Sequence, residues 1–173
     1  MQKRTPELRV QLTKRADGSV VLRCVRADES VAWQRHNGRR ALFFPFHDLT
    51  HFAVETTLGF RQGFYGLIAD GWDIADTGGK GARGPLPPET VLVEHLVGLF
   101  DRERVGGAQP MSAAEFNAHV ERLFATGRIH AAPVFTDVQL VAVRARIDAL
   151  HSEWAALVAG ATLELHFDRG EFG

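Results

Sequence analysis

An α+β domain, a small antiparallel sheet with about five helices packed on one face, follows from three features of this sequence. Stretches of strand-like alternation open the chain, a block of helix-period stretches fills its middle, and one alternating stretch closes it. With 173 residues, 45% of them hydrophobic, and no internal repeat, positions 1–173 read as a single domain large enough to bury about 70% of its unfolded surface.

Leu8, Val10 and Leu12 alternate with Arg9, Gln11 and Thr13, the period of a half-buried strand. Lys14 to Gly18 turns the chain at Asp17-Gly18, and Val20, Leu22 and Cys24 alternate with Val21, Arg23 and Val25, so the two strands form an N-terminal hairpin. A shorter extended piece covers Val31 to Arg35, and His36-Asn37-Gly38-Arg39 is a turn. Ala41 to Phe44 reads as a further strand or as an apolar lead into a helix begun after Pro45, whose missing N–H suits a first turn.

That helix carries Leu49, Phe52, Ala53 and Thr56 on one side and His47, His51 and Glu55 on the other, an amphipathic pattern. Leu58-Gly59 breaks it. In the next helical stretch Phe60, Phe64, Leu67 and Ile68 share a face, with Gly59, Gly63, Gly66 and Asp70 in line beside it. Three glycines in a short helix cost about 2–3 kcal/mol relative to alanine, so a close approach by another backbone or a ligand is expected there. Asp73 to Pro88 is rich in Gly and Pro without the Gly-x-x-x-x-Gly-Lys-Ser/Thr pattern, and reads as a mobile loop covering a cleft.

Pro88 opens a third helix running to about Arg104, whose nearly continuous apolar surface predicts burial. Ser112-Ala113-Ala114-Glu115 is a capping box for a fourth, stopped at Gly127. Thr136 caps a fifth, with Leu140, Val143, Ile147, Leu150, Trp154 and Leu157 as its stripe. Leu163, Leu165 and Phe167 alternate in a last strand that returns to the hairpin.

A net charge of −1 and a pI near 6.7 exclude the electrostatic footprint of a general nucleic-acid binder. The single Cys24 forms no internal disulfide, no signal-peptide run follows Met1, and no stretch approaches the roughly 18 apolar residues of a membrane span. The expectation is a cytoplasmic protein with no membrane partner. A small molecule or another protein, including a second copy in a homo-oligomer, is left as the partner. Nucleophile elbows, Cys-x-x-Cys pairs and dinucleotide glycine fingerprints do not occur.

The one concentration of usable chemistry is His47-Asp48-Leu49-Thr50-His51-Phe52-Ala53-Val54-Glu55. Residues four apart on a helix lie about 6 Å from each other, so His47 and His51 can hold one divalent ion, zinc first. His47 and Glu55 are separated by about 12 Å of rise and cannot share it. Asp48 joins the set as a ligand at the margin of the face, and Asp70 is the candidate ligand from elsewhere. Glu55 becomes the partner of His51, or the acid/base beside a metal-bound water. His95 and His119 are reserve ligands on neighbouring helices. If the site is catalytic, metal-dependent hydrolysis or lyase chemistry is its form. The alternative is a non-enzymatic binding or interaction module, with Asp48 as a helix N-cap and His51–Glu55 as an ion pair on a solvated face.

His47-Asp48-Leu49-Thr50-His51 resembles the zinc-protease motif His-Glu-x-x-His, with aspartate one methylene shorter at the second position. It is also similar to the His-Asp-x-x-His of a ubiquinone-biosynthesis protein family, whose metal-binding glutamate comes at the position held here by Gly63. Pro45 to Glu55, with Leu58-Gly59 and Gly63 to Gly71, resembles a family of small uncharacterised bacterial proteins sharing a Pro-x-His-Asp-Leu-x-His-Phe-x-Val-Glu core and a glycine-rich helix. That resemblance implies no activity.

Overall fold

A computed structural model describes residues 7–81, 83–107, 109–125 and 132–169. Four antiparallel strands, β1 (Leu8–Lys14), β2 (Val20–Arg26), β3 (Val31–His36) and β4 (Thr162–Phe167), form one sheet in the order β3-β2-β1-β4. The register pairs Val10 with Cys24 on one side and with Leu165 on the other, so the inward residues of the hairpin and of the last strand lie in one row. Leu8, Val10, Leu12, Leu22 and Cys24 are fully buried, and Leu163, Leu165 and Phe167 nearly so. Outward residues such as Arg23, Glu164 and His166 stay exposed. The sheet therefore has one core face and one polar face, as the alternation requires.

Among the described residues there are five helices, α1 (Arg39–Leu58), α2 (Phe64–Ala69), α3 (Pro88–Gly106), α4 (Ala113–Phe124) and α5 (Asp137–Ala156), with one 3-10 turn over Ile74–Gly78. The expected capping box of Ser112 with Glu115 forms, and the Thr136 cap is also a capping box, closed by Gln139. The expected stop at Gly127 lies outside the described residues. Among the described residues, no helix is long and apolar enough to cross a membrane.

Helix α1 departs from its expected form in two ways. It starts at Arg39 rather than after Pro45, which stands in its second turn. An interior proline forgoes one hydrogen bond, but Ala41 and Pro45, four apart, are both buried, and their packing carries the helix through. Second, α1 is not half-solvated. The eight residues from Asp48 to Glu55 are all buried, because α1 packs against α3, α5, α2 and the sheet at once. Its polar side is enclosed by neighbouring helices, and Asp48, ten residues into the helix, is no N-cap.

Helix α2 is shorter than its sequence pattern, since Phe60 to Gly63 are not helical. Gly59 ends α1 in the left-handed region with φ 72°, where a side chain would be strained. A Cβ on Gly66 would collide with the Arg61 carbonyl, and one on Gly63 with the Glu55 side chain. Of the close approaches expected there, by another backbone or a ligand, Gly66 has the backbone one, whereas Gly63 meets instead a side chain of the candidate site.

Candidate metal centre

Helix periodicity places His47 and His51 one turn apart on α1, with their ring centroids separated by 4.9 Å and their planes nearly perpendicular. Helix α3 crosses this face and adds Glu94. One ligand atom from each of His47, His51 and Glu94 lies within 4.8 Å of the others. His51 Nε2 is 3.3 Å from Glu94 Oε1, close to the edge of about 3.4 Å that separates two ligand atoms around tetrahedral zinc.

The remaining nitrogen of each imidazole is held by a carboxylate. His47 Nδ1 is 2.8 Å from Asp101 Oδ2, whose other oxygen accepts from Thr50 Oγ1 at 3.1 Å. His51 Nδ1 is 3.3 Å from Glu55 Oε1. Glu55 is itself fixed by the backbone N–H groups of Tyr65 and Gly66, which donate to Oε2 at 3.0 and 3.2 Å. The α1 C-terminus and the start of α2 are thereby tied together through one buried carboxylate, and Gly63 has no side chain because that carboxylate occupies the space.

The electrostatics are those of carboxylates around histidines. Burial opposes a charge on His51, but its hydrogen bonds to Glu55 and Glu94 outweigh that and lift its pKa to about 10. Burial raises Glu94 and Asp101 too, yet the histidine hydrogen bonds win and hold both below their ordinary values. Glu55 is pushed up by complete burial, against the pull of His51 and the two N–H donors. Asp48 is 3% exposed. Burial, partly offset by His47 and His51, raises it to about 7, and its Oδ2 has no hydrogen-bond partner among the described residues. An unsatisfied buried carboxyl oxygen is costly unless it is protonated or meets a ligand.

A cleft of about 220 Å³ opens onto this group, with Asp48, His47, His51 and Glu94 on its floor side and the 3-10 turn of Ile74–Gly78 on its rim. The Gly/Pro-rich connection expected to cover a cleft does contribute that rim. His47 is 23% and Glu94 44% exposed by side chain, so a ligand entering the cleft reaches both.

Of the residues the sequence singles out, His47, His51 and Asp48 come together, and Glu55 backs His51. Asp70 does not join them: it lies past the end of α2 and pairs with Arg169 at 2.7 Å. The group from elsewhere in the chain is Glu94, with Asp101 behind His47. Neither stands out by motif. Their signal is that a helix apolar enough to be buried carries two acids seven residues apart, a spacing that returns them to one face. The reserve histidines His95 and His119 are not members of the group.

Searches of family models, curated proteins and solved structures return no match to this chain.

Proposed function

We propose that the protein binds one divalent metal ion, zinc first, through the Nε2 atoms of His47 and His51 and the carboxylate of Glu94, and uses the coordination position left open for metal-assisted hydrolysis or lyase chemistry. One observation carries the reading. Two histidines and a carboxylate converge while the second nitrogen of each imidazole is bonded to an acid, buried for His51 and part-buried for His47, the arrangement that fixes tautomer and ring orientation in metal-ligating histidines. Three protein ligands beside an open cleft are the form of a catalytic rather than a structural zinc site. Glu55 then orients His51, its oxygens being engaged by three donors. Asp48, next to the group with one oxygen unsatisfied, is the candidate fourth ligand or the acceptor of a proton from metal-bound water.

A second reading rests on the 3.3 Å contact between His51 Nε2 and Glu94. A protonated His51 between two carboxylates is a satisfied buried cluster that needs no ion, and the protein is then a binding or interaction module. Elemental analysis of untagged protein decides between them. About one equivalent of metal in the native chain, lost in His47→Ala/His51→Ala and in Glu94→Ala with the fold retained, is the expected result. Equal metal content in all three, or none after incubation with zinc, overturns it.

A further inference from the structure

The cleft in front of the metal ligands has a composition that narrows what can enter it. Its walls beyond the ligands are Phe44 from α1, Phe64 from α2, Ile74 and Ala75 from the 3-10 turn, and the amide of Gln34 from β3. Thr77, also on the rim, spends its hydroxyl on the Ile74 carbonyl. Among the described residues lining it there is no lysine or arginine, while Asp48 and Glu94 are both present. Behind the two histidines stand two more acids, Glu55 and Asp101. A dipositive ion held by Glu94 against these acids leaves little net positive charge to attract an anion. At about 220 Å³ the space is below the roughly 300 Å³ at which pockets for drug-sized molecules begin. Phe44 and Phe64 add apolar wall, which gives an anionic group no partner.

We infer that the metal centre takes a small molecule, neutral or cationic, one oxygen of which occupies the open coordination position and whose remainder carries no carboxylate or phosphate. This rests on the metal reading above. It adds a charge selection set by the wall and not by the ion, which by itself favours anions. Phe44 and Phe64 flank the part of the molecule beyond the metal-bound oxygen, where no lysine or arginine among the described residues lines the cleft to pair with a second negative charge.

The test uses the full chain loaded with Co²⁺, whose visible absorption reports a change in coordination. Three hydroxamates of similar size share the same metal-binding head: acetohydroxamic acid with a neutral tail, glycine hydroxamate with an ammonium, and malonic acid monohydroxamate with a carboxylate. The expected result is binding of the first two at least tenfold tighter than the third, and a difference reduced to about twofold or less in Ala75→Lys, which places a cation on the exposed rim. Equal or tighter binding of the carboxylate compound by the native protein overturns the inference. So does a spectrum unmoved by all three, or a preference unchanged in Ala75→Lys. A protein that shows no cobalt band before any hydroxamate is added fails the metal reading itself, and the two failures are thus told apart.

Discussion

Helix α3 and the C-terminal edge of the domain both gather acids, and they answer them differently. At the edge, Asp70 and Glu7 converge on the Arg169 guanidinium at 2.7 and 2.6 Å. Farther along α3, Glu103 makes a two-nitrogen pair with Arg144. On the same helix, Asp101 two residues earlier and Glu94 nine residues earlier face histidines instead. An arginine is always charged and has no acceptor, so it completes an acid and ends its chemistry there. A histidine can give its proton up, and four carboxylates around two histidines leave room for a cation that the arginine clusters have already filled. The same residue type, aspartate or glutamate at a helix face, is thus structural in one place and chemically open in the other.

The largest separation between the two kinds of cluster is expected in metal affinity. Glu94→Gln should weaken zinc binding by at least about a thousandfold, since one of three protein ligands is lost, whereas Asp70→Asn should leave it unchanged. Competition with a chromophoric chelator reads both. If Asp70→Asn lowers the affinity and Glu94→Gln does not, the comparison is reversed.

Next in size is the neighbouring pair on α3. Asp101→Asn keeps the shape but takes away the charge that holds the Nδ1 proton of His47, and should cost about 10- to 100-fold in zinc affinity. Glu103→Gln, two residues on, leaves Arg144 half-answered in a partly buried site and should lower folding stability by about 1–3 kcal/mol without touching zinc affinity. Chelator competition and urea denaturation on both variants form a two-by-two test.

How much of this is legible in the sequence follows from how local each cause is. The hairpin, the last strand, the Ser112 capping box and the Thr136 cap depend on alternation or on residues three apart, and the structure has them where the pattern puts them. The approach of His47 to His51 needs only the helical repeat, so it too was readable. What was not readable depends on packing. Pro45 looks like a helix start until burial of Ala41 and Pro45 together outweighs the missing hydrogen bond. His51 and Glu55 look like a solvated pair until α2 and α3 close over them and leave them 2% and 0% exposed. Glu94 and Asp101 could be found only by asking why a buried helix carries acids. Asp70, in line with the glycines, lost its place to Arg169, which is 99 residues away in sequence.

Titration sharpens the contrast further. In the metal-free protein His51 holds its proton with a pKa of about 10 against 6.5 for a free histidine. A raised pKa means the folded state binds that proton more tightly, so its contribution to stability is complete below about 6.5 and is lost as the pH rises through about 10. Asp48, raised from 3.8 to about 7, acts in the same direction: its contribution is complete below 3.8 and is lost as the pH rises through about 7. The thermal midpoint of metal-free protein should therefore fall between pH 5 and 9. Zinc reverses the sign, because it replaces the His51 proton, and its apparent affinity should rise by about tenfold per pH unit from that group between pH 7 and 10. Zinc-induced thermal stabilisation that grows with pH is the expected result; stabilisation that is flat or shrinks with pH excludes His51 as a ligand.

The smallest effect belongs to the arginine cluster at the edge. The Asp70 side chain is 41% exposed and Arg169 17%, so their attraction is screened by solvent, while Glu7 remains to hold the guanidinium when Asp70 is neutralised. Asp70→Asn should cost about 0.2–1 kcal/mol of stability, the range of exposed ion pairs, and less at 1 M salt than at 0.05 M. Urea denaturation at the two salt concentrations measures it. A loss of several kcal/mol independent of salt would mean that this pair organises the fold as strongly as the buried cluster on α1, and that answering an acid with arginine is not the passive arrangement its exposure implies.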